Sequence, residues 1–133
     1  MPENIIEVEN LEKSYGQVRA VQGISFAVGR GSLFSFLGVN GAGKSTAINI
    51  LCTLLKKDAG RVRIAGFDLD AEPEKIRPLL GVVFQHSVLD DLLTVRENLA
   101  VRAACCGVRG GAWKKRLAAL TELLELNDIL DRP

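Results

Sequence analysis

Residues 38–45 read Gly38-Val39-Asn40-Gly41-Ala42-Gly43-Lys44-Ser45, a Gly-x-x-x-x-Gly-Lys-Ser pattern whose residue types match the needs of a bound phosphate. Phosphate carries dense negative charge, so a chain that holds it must curl until several backbone N–H groups point inward. Glycine is required wherever that curl takes φ positive or brings the ligand against the backbone, and Gly38, Gly41 and Gly43 meet that need. A helix that starts at the end of the loop adds its partial positive N-terminus, and Lys44 adds a full charge for the β- and γ-phosphates. Ser45 offers a hydroxyl to Mg²⁺, with Thr46 as a neighbouring donor.

Such a loop works only between a buried strand and an amphipathic helix. Leu33-Phe34-Ser35-Phe36-Leu37 is a near-continuous apolar run, which predicts a strand buried on both faces. Beyond the loop, Ile48, Leu51 and Leu55 recur at helical spacing and predict a helix from Lys44 to about Leu55. Upstream, residues 5–9 and 18–28 alternate apolar with polar or small residues around the turn-like Ser14-Tyr15-Gly16-Gln17, which predicts antiparallel strands. Downstream, Arg61 to Ala65 reads as a strand, Glu74 to Leu80 as a helical turn, and Gly81-Val82-Val83-Phe84-Gln85 as a short buried strand. Thr94-Val95-Arg96-Glu97 has the form of a capping box and predicts a helix from Val95 to about Cys106, ended by Gly107, Gly110 and Gly111. Leu117, Leu120, Leu123 and Leu124 mark a second amphipathic helix to about Leu126.

The 133 residues carry 17 basic and 16 acidic side chains, so bulk charge provides no field for nucleic acid or an anionic membrane surface. Any bound anion must be held by local geometry. No window approaches the roughly 18 consecutive apolar residues of a membrane span, and the amino-terminus lacks the pattern of a secretory signal. Cys52, Cys105 and Cys106 have neither zinc-site nor disulfide-framework spacing; they read as buried small apolar side chains in a reducing compartment.

The loop alone does not choose among phosphate-loop proteins. A guanine-specific Asn/Thr-Lys-x-Asp segment is absent, which favours adenine. Taken together, Tyr15, residues 38–46, Gly81 to Gln85 and Leu93-Thr94-Val95-Arg96-Glu97-Asn98-Leu99 resemble the ATP-binding cassette (ABC) ATPases over nearly the whole chain. The resemblance implies an α/β phosphate-loop NTPase core (about 32–93), with an amino-terminal antiparallel β region (about 1–31) and the start of a helical subdomain (about 94–133). It implies ATP and Mg²⁺ as ligands, with Tyr15 stacking on adenine and Gln85 contacting Mg²⁺ and the attacking water. A polar residue ending the apolar strand of Val82 to Phe84 suits that position, because α/β proteins bind ligands at the carboxyl edge of the sheet. His86 reads as an exposed neighbour rather than a catalytic base.

The resemblance also implies partners: a membrane-spanning transporter subunit or domain, met by the loop near Gln85, and a second ATP-binding domain forming a dimer. That places the chain at the cytoplasmic face of a membrane. The segment from Phe84 to Leu99 resembles bacterial exporter subunits of drug-resistance type, so export is expected rather than import. Departures from the family pattern are equally specific. The Leu-Ser-Gly-Gly-Gln-type signature, the apolar strand ending Asp-Glu and the switch histidine are absent, and neither Asp68 nor Asp90-Asp91 follows the long apolar run expected of the metal aspartate. The chain therefore reads as a truncated, amino-terminal portion of a cassette, able to bind nucleotide but deficient in hydrolysis. Truncation is expected to expose Leu33, Phe34 and Phe36. Two other readings are a nucleotide-binding interaction module without hydrolysis, and a non-transport ABC ATPase of DNA repair or translation.

Overall fold

Alternation of apolar side chains is broken in the first hairpin by bulges that keep the core face intact. The computed structural model describes residues 4–39, 41, 43–84 and 89–133. Strand β1 (Asn4–Tyr15) pairs antiparallel with β2 (Val18–Gly29) around a two-residue turn in which Gly16 has φ 57°. Val8 and Leu11 are three residues apart yet both buried, because the register shifts between them and Asn10 adopts φ 48°. In β2 a separate shift falls at Gly23, φ 72°, so Val21 and Ile24 both face the core. Strand β1 thus runs well past residue 9, where plain alternation stops.

On its other side β1 pairs with β3 (Ala59–Ile64), which turns through Ala65 and Gly66 into β4 (Phe67–Asp68), giving an antiparallel sheet of order β2-β1-β3-β4. Both turn residues have positive φ, 53° and 86°, the backbone of a type I′ hairpin. Opposite charges face each other across β1 and β3 at Glu7 and Arg63 and at Glu9 and Arg61. Gly60 lies against the Asn10 bulge so closely that a Cβ there would meet the Asn10 carbonyl oxygen at 2.3 Å.

Helix α1 (Lys44–Leu51) covers this sheet, and its buried face differs from the one the sequence predicts. Ala47, Ile50 and Leu51 join Val8, Leu11 and Val62 in the core, whereas Ile48 is 43% exposed. The helix also stops at Leu51: Thr53 has φ 60°, and the turn that follows brings Leu55 back against the core. Helix α2 (Pro73–Ile76) and a 3-10 turn over Arg77–Leu79 supply the helical turn expected near Glu74 to Leu80, with Ile76 fully buried.

Neither apolar run predicted as a buried strand is paired as one among the described residues. Leu33 is 96% exposed, Leu37 is 92% exposed, and Val83 is 99% exposed. A strand apolar on both faces needs neighbours along both edges and cover on both sides. Among the described residues that cover is limited to an aromatic cluster. Phe26 stacks on Phe34 at 5.1 Å between ring centroids, and Phe36 meets both rings edge-on.

The chain divides into two compact units, Met1–Val82 and Val83–Pro133. In the second, α3 (Val95–Cys105) starts from Thr94, whose Oγ1 accepts from the Glu97 N–H while the Glu97 carboxylate accepts from the Thr94 N–H, completing the predicted capping box. The carbonyls of Arg132 and Leu130 take the next two free N–H groups, those of Val95 and Arg96, and Arg96 forms a two-point ion pair with Asp131. Asn98, buried one turn in, donates through Nδ2 to the carbonyls of Asp90, Leu93 and Thr94 and accepts the Asp90 N–H.

Helix α3 ends at Gly107, φ 74°, and α4 (Gly110–Leu123) begins at Gly110, so Gly110 and Gly111 open the second helix instead of closing the first. Leu123 and Leu124 point to solvent, and the helix ends short of Leu126 as Glu125 turns left-handed. Cys105 and Cys106 are exposed rather than buried, because this unit buries little apart from Asn98, Thr121 and Leu130 among its described residues. Cys52 is half-buried, and burial pushes its thiol up.

Candidate phosphate-binding site

The start of α1 is built by Gly43. It occupies the position before the first helical residue with φ 76° and ψ 7°, and its carbonyl accepts the first helical hydrogen bond, from the Ala47 N–H at 2.9 Å. Any Cβ at 43 would lie 2.1 Å from the Ala20 carbonyl oxygen of β2. Glycine is therefore demanded twice, by the left-handed backbone and by the close approach of the strand. Gly41, at φ 86°, is left-handed too, but open space surrounds it.

No side chain caps this helix, and its first turn contains no acidic residue. The first four N–H groups of a helix have no partner within it, so the start of α1 presents N–H donors and a partial positive charge. The Lys44 ammonium folds back over the loop and donates to the carbonyl oxygens of Gly38 and Val39, at 2.6 and 2.7 Å. The loop is thus closed around its own cation. Ser45 is exposed and Thr46 half-buried in the same turn.

The sequence-predicted residues fall into three groups. Gly38, Val39, Gly43, Lys44, Ser45 and Thr46 are brought together, with Gly41 on the loop between them. Asn40, Ala42, Gln85 and His86 lie outside the described residues. Tyr15 stands at the end of β1, half-exposed, with the Lys13 ammonium 5.9 Å from its ring centroid. Tyr15 pairs with Val18 of β2, and Gly43 packs on Ala20, two residues further along. About 7 Å of strand separates the two positions.

Beside Lys44 and Ser45 lies a cavity of about 850 Å³, walled by Phe26, Phe34, Phe36 and Ile48. Sequence reasoning missed it because it placed Phe34 and Phe36 in a paired strand. Asp68, whose sequence surroundings argue against a metal ligand, shapes a turn instead. Its Oδ1 accepts the N–H groups of Ala71 and Asp70, which hold the carboxyl below its usual range. Among the described residues no three His, Cys, Asp or Glu side chains cluster as a metal site, and no helix is long and apolar enough to cross a membrane.

A family model described as ABC transporter matches residues 21–133. The chain is 39% identical over 127 residues to the daunorubicin resistance ATP-binding protein DrrA2 of Streptomyces coeruleorubidus, a match covering 96% of this chain and 39% of that protein. It is 37% identical over 129 residues to the Nod factor export ATP-binding protein I of Ralstonia nicotianae, covering 97% of this chain and 40% of the relative. Its fold is similar to that of cbiO1 from Clostridium perfringens, described as part of the ABC transporter complex cbiONQ, with a TM-score of 0.81 at 26% identity, over 99% of this chain and 55% of the other. The chain thus spans about two fifths of the length of these curated relatives. Sequence and fold agree, and the chain belongs to the ABC transporter family.

Proposed function

We propose that this chain binds MgATP as the nucleotide-holding portion of an exporter's ATPase subunit. The observation that carries the reading is the start of α1, where an uncapped helix and the ammonium of Lys44 share one glycine loop. Phosphate oxygens entering the loop replace the two carbonyls as acceptors for Lys44, and they take the N–H groups of the first turn. Ser45 suits an ion that arrives with the nucleotide, since Mg²⁺ keeps much of its shell as water and phosphate and needs few protein ligands. When bound, Mg²⁺ would supply charge neutralisation between the β- and γ-phosphates. Tyr15 offers the adenine a half-exposed ring face, and Gln85 is assigned to Mg²⁺ and the attacking water on the resemblance.

Export rests on the relatives named for drug resistance and Nod factor export. Coupling to a membrane-spanning partner near Gln85, a second ATP-binding domain, and a place at the cytoplasmic face of the membrane follow from the same family reading. Hydrolysis would call on the Asp-Glu strand and the signature segment that the resemblance implies, because orienting water and neutralising developing charge are large catalytic terms. Thermal unfolding with and without MgATP tests the reading. Saturation at about one hundred times Kd adds about 2.7 kcal/mol of stability. Lys44→Ala is expected to remove that gain with the fold intact; a gain that survived the substitution would refute the assignment.

A further inference from the structure

Just before Tyr15, three successive residues of β1 are tied to one side of the molecule by a single residue. The Asp58 N–H donates to the Glu12 carbonyl at 3.0 Å. Its Oδ1 accepts from the Lys13 ammonium at 2.6 Å, and its Oδ2 accepts from the Ser14 N–H at 2.7 Å. The pairing of β1 with β2 slips between Lys13 and Ser14 and resumes with Ser14 opposite Arg19 and Tyr15 opposite Val18. Asp58 adds a hold on the same stretch from the opposite edge.

The arrangement fixes a cation as well as a backbone. The Lys13 side chain is only 14% exposed, with its ammonium held between the Asp58 carboxylate and the Tyr15 ring. A cation over one face of an aromatic ring leaves the other face for a flat partner. Asp58 also lies on the segment that leads out of α1, the helix that begins with Lys44. One carboxylate therefore links the helix that follows the phosphate loop to the strand end that carries the aromatic ring.

We propose that Asp58 is a positioning residue for the base of the nucleotide: by clamping Lys13 and Ser14 it holds Tyr15 with one ring face under Lys13 and the other presented to adenine. The proposal rests on the reading of Tyr15 as the adenine platform. It assigns Asp58 a share in the preference for an adenine nucleotide over bare polyphosphate, with no direct contact to either.

The test compares the Kd of MgATP with that of magnesium tripolyphosphate, a probe that has the phosphates and lacks the base. Tyr15→Ala is expected to raise the Kd of MgATP at least about 5-fold, since stacking on one base spans that range and more. Asp58→Ala is expected to raise it by a similar factor while the tripolyphosphate Kd stays within about twofold, because the loop around Lys44 is untouched. The double variant should bind MgATP no more weakly than Tyr15→Ala alone. Asp58→Asn, which keeps an acceptor for Ser14 and loses the charge, should fall between wild type and Asp58→Ala, and it serves as the test variant if Asp58→Ala does not fold. Equal weakening of both ligands, or additive losses in the double variant, would overturn the proposal and leave Asp58 a general stabiliser. No loss in Tyr15→Ala would overturn the adenine reading and the proposal with it. Loss in Tyr15→Ala but none in the Asp58 variants would overturn the proposal alone.

Discussion

Helices α1 and α3 solve the same problem in opposite ways. Each begins with four N–H groups that the helix itself leaves without acceptors. At α3 the capping residue is Thr94, the third helical residue is Glu97, and carbonyls from Leu130 and Arg132 take two further donors. At α1 the corresponding residues are Gly43 and Thr46, no side chain caps the turn, and the first residue is a lysine. A cap stabilises a helix by filling its anion-seeking end with the protein's own oxygens. On the proposed reading, leaving the cap out preserves that end for phosphate, at a cost in local stability.

The most damaging way to break this contrast is Gly43→Ala. The new Cβ would sit 2.1 Å from the Ala20 carbonyl oxygen at a backbone of φ 76°, so a loss of about 3 kcal/mol is expected in urea unfolding. Stability within a few tenths of wild type would show that the loop does not need its close seat on β2. A sharper test makes α1 resemble α3. Thr46→Glu places a carboxylate where α3 has Glu97, which should stabilise the helix by about 0.3–1 kcal/mol while weakening MgATP binding on the order of tenfold through repulsion. Thermal unfolding with and without MgATP reads both effects, and unchanged affinity would remove the start of α1 as the phosphate site.

Running the contrast the other way, Thr94→Ala should cost about 1 kcal/mol in urea unfolding and leave the MgATP Kd as it was. The smallest effect is one of pH. The Thr94 N–H, and then its hydroxyl, hold the Glu97 carboxyl below its usual range. A carboxyl lowered in the folded state stabilises fully above its ordinary value, and that contribution is lost as pH falls through the folded one. The stability difference between wild type and Glu97→Gln should therefore shrink as pH falls from about 5 toward 3. A difference that grew in acid would mean that Glu97 is not held as the charged partner of the cap.

What the sequence made legible was local. The helix start after Gly43, the Thr94 to Glu97 box and the turn at Gly16 are each written within a few consecutive residues, and each appears in the structure where its rule puts it. Features that depend on distant partners were not legible. The bulges at Asn10 and Gly23 exist because one face must stay inward across paired strands, which alternation in a single strand does not reveal. The face of α1 was read as Ile48, Leu51 and Leu55, yet the spacing Ala47, Ile50, Leu51 suits a helix equally well, and the sheet beneath decides between them. Lys44 was read as a cation for phosphate; its seat on the Gly38 and Val39 carbonyls was not legible, since backbone acceptors leave no trace in residue types. Asp58 likewise showed in the sequence only as the end of a Lys-Lys-Asp run.

Asn98 joins segments that look separate on paper. Its carboxamide is bonded at both ends to residues 90–94, so the loop cannot leave without breaking contacts made from inside α3. In the language of hydrogen exchange, protection is a property of whatever opens together. The Asp90 amide, in a stretch without regular structure, should keep the same slow clock as the first turn of the helix, and Asn98→Ala should set the two clocks apart.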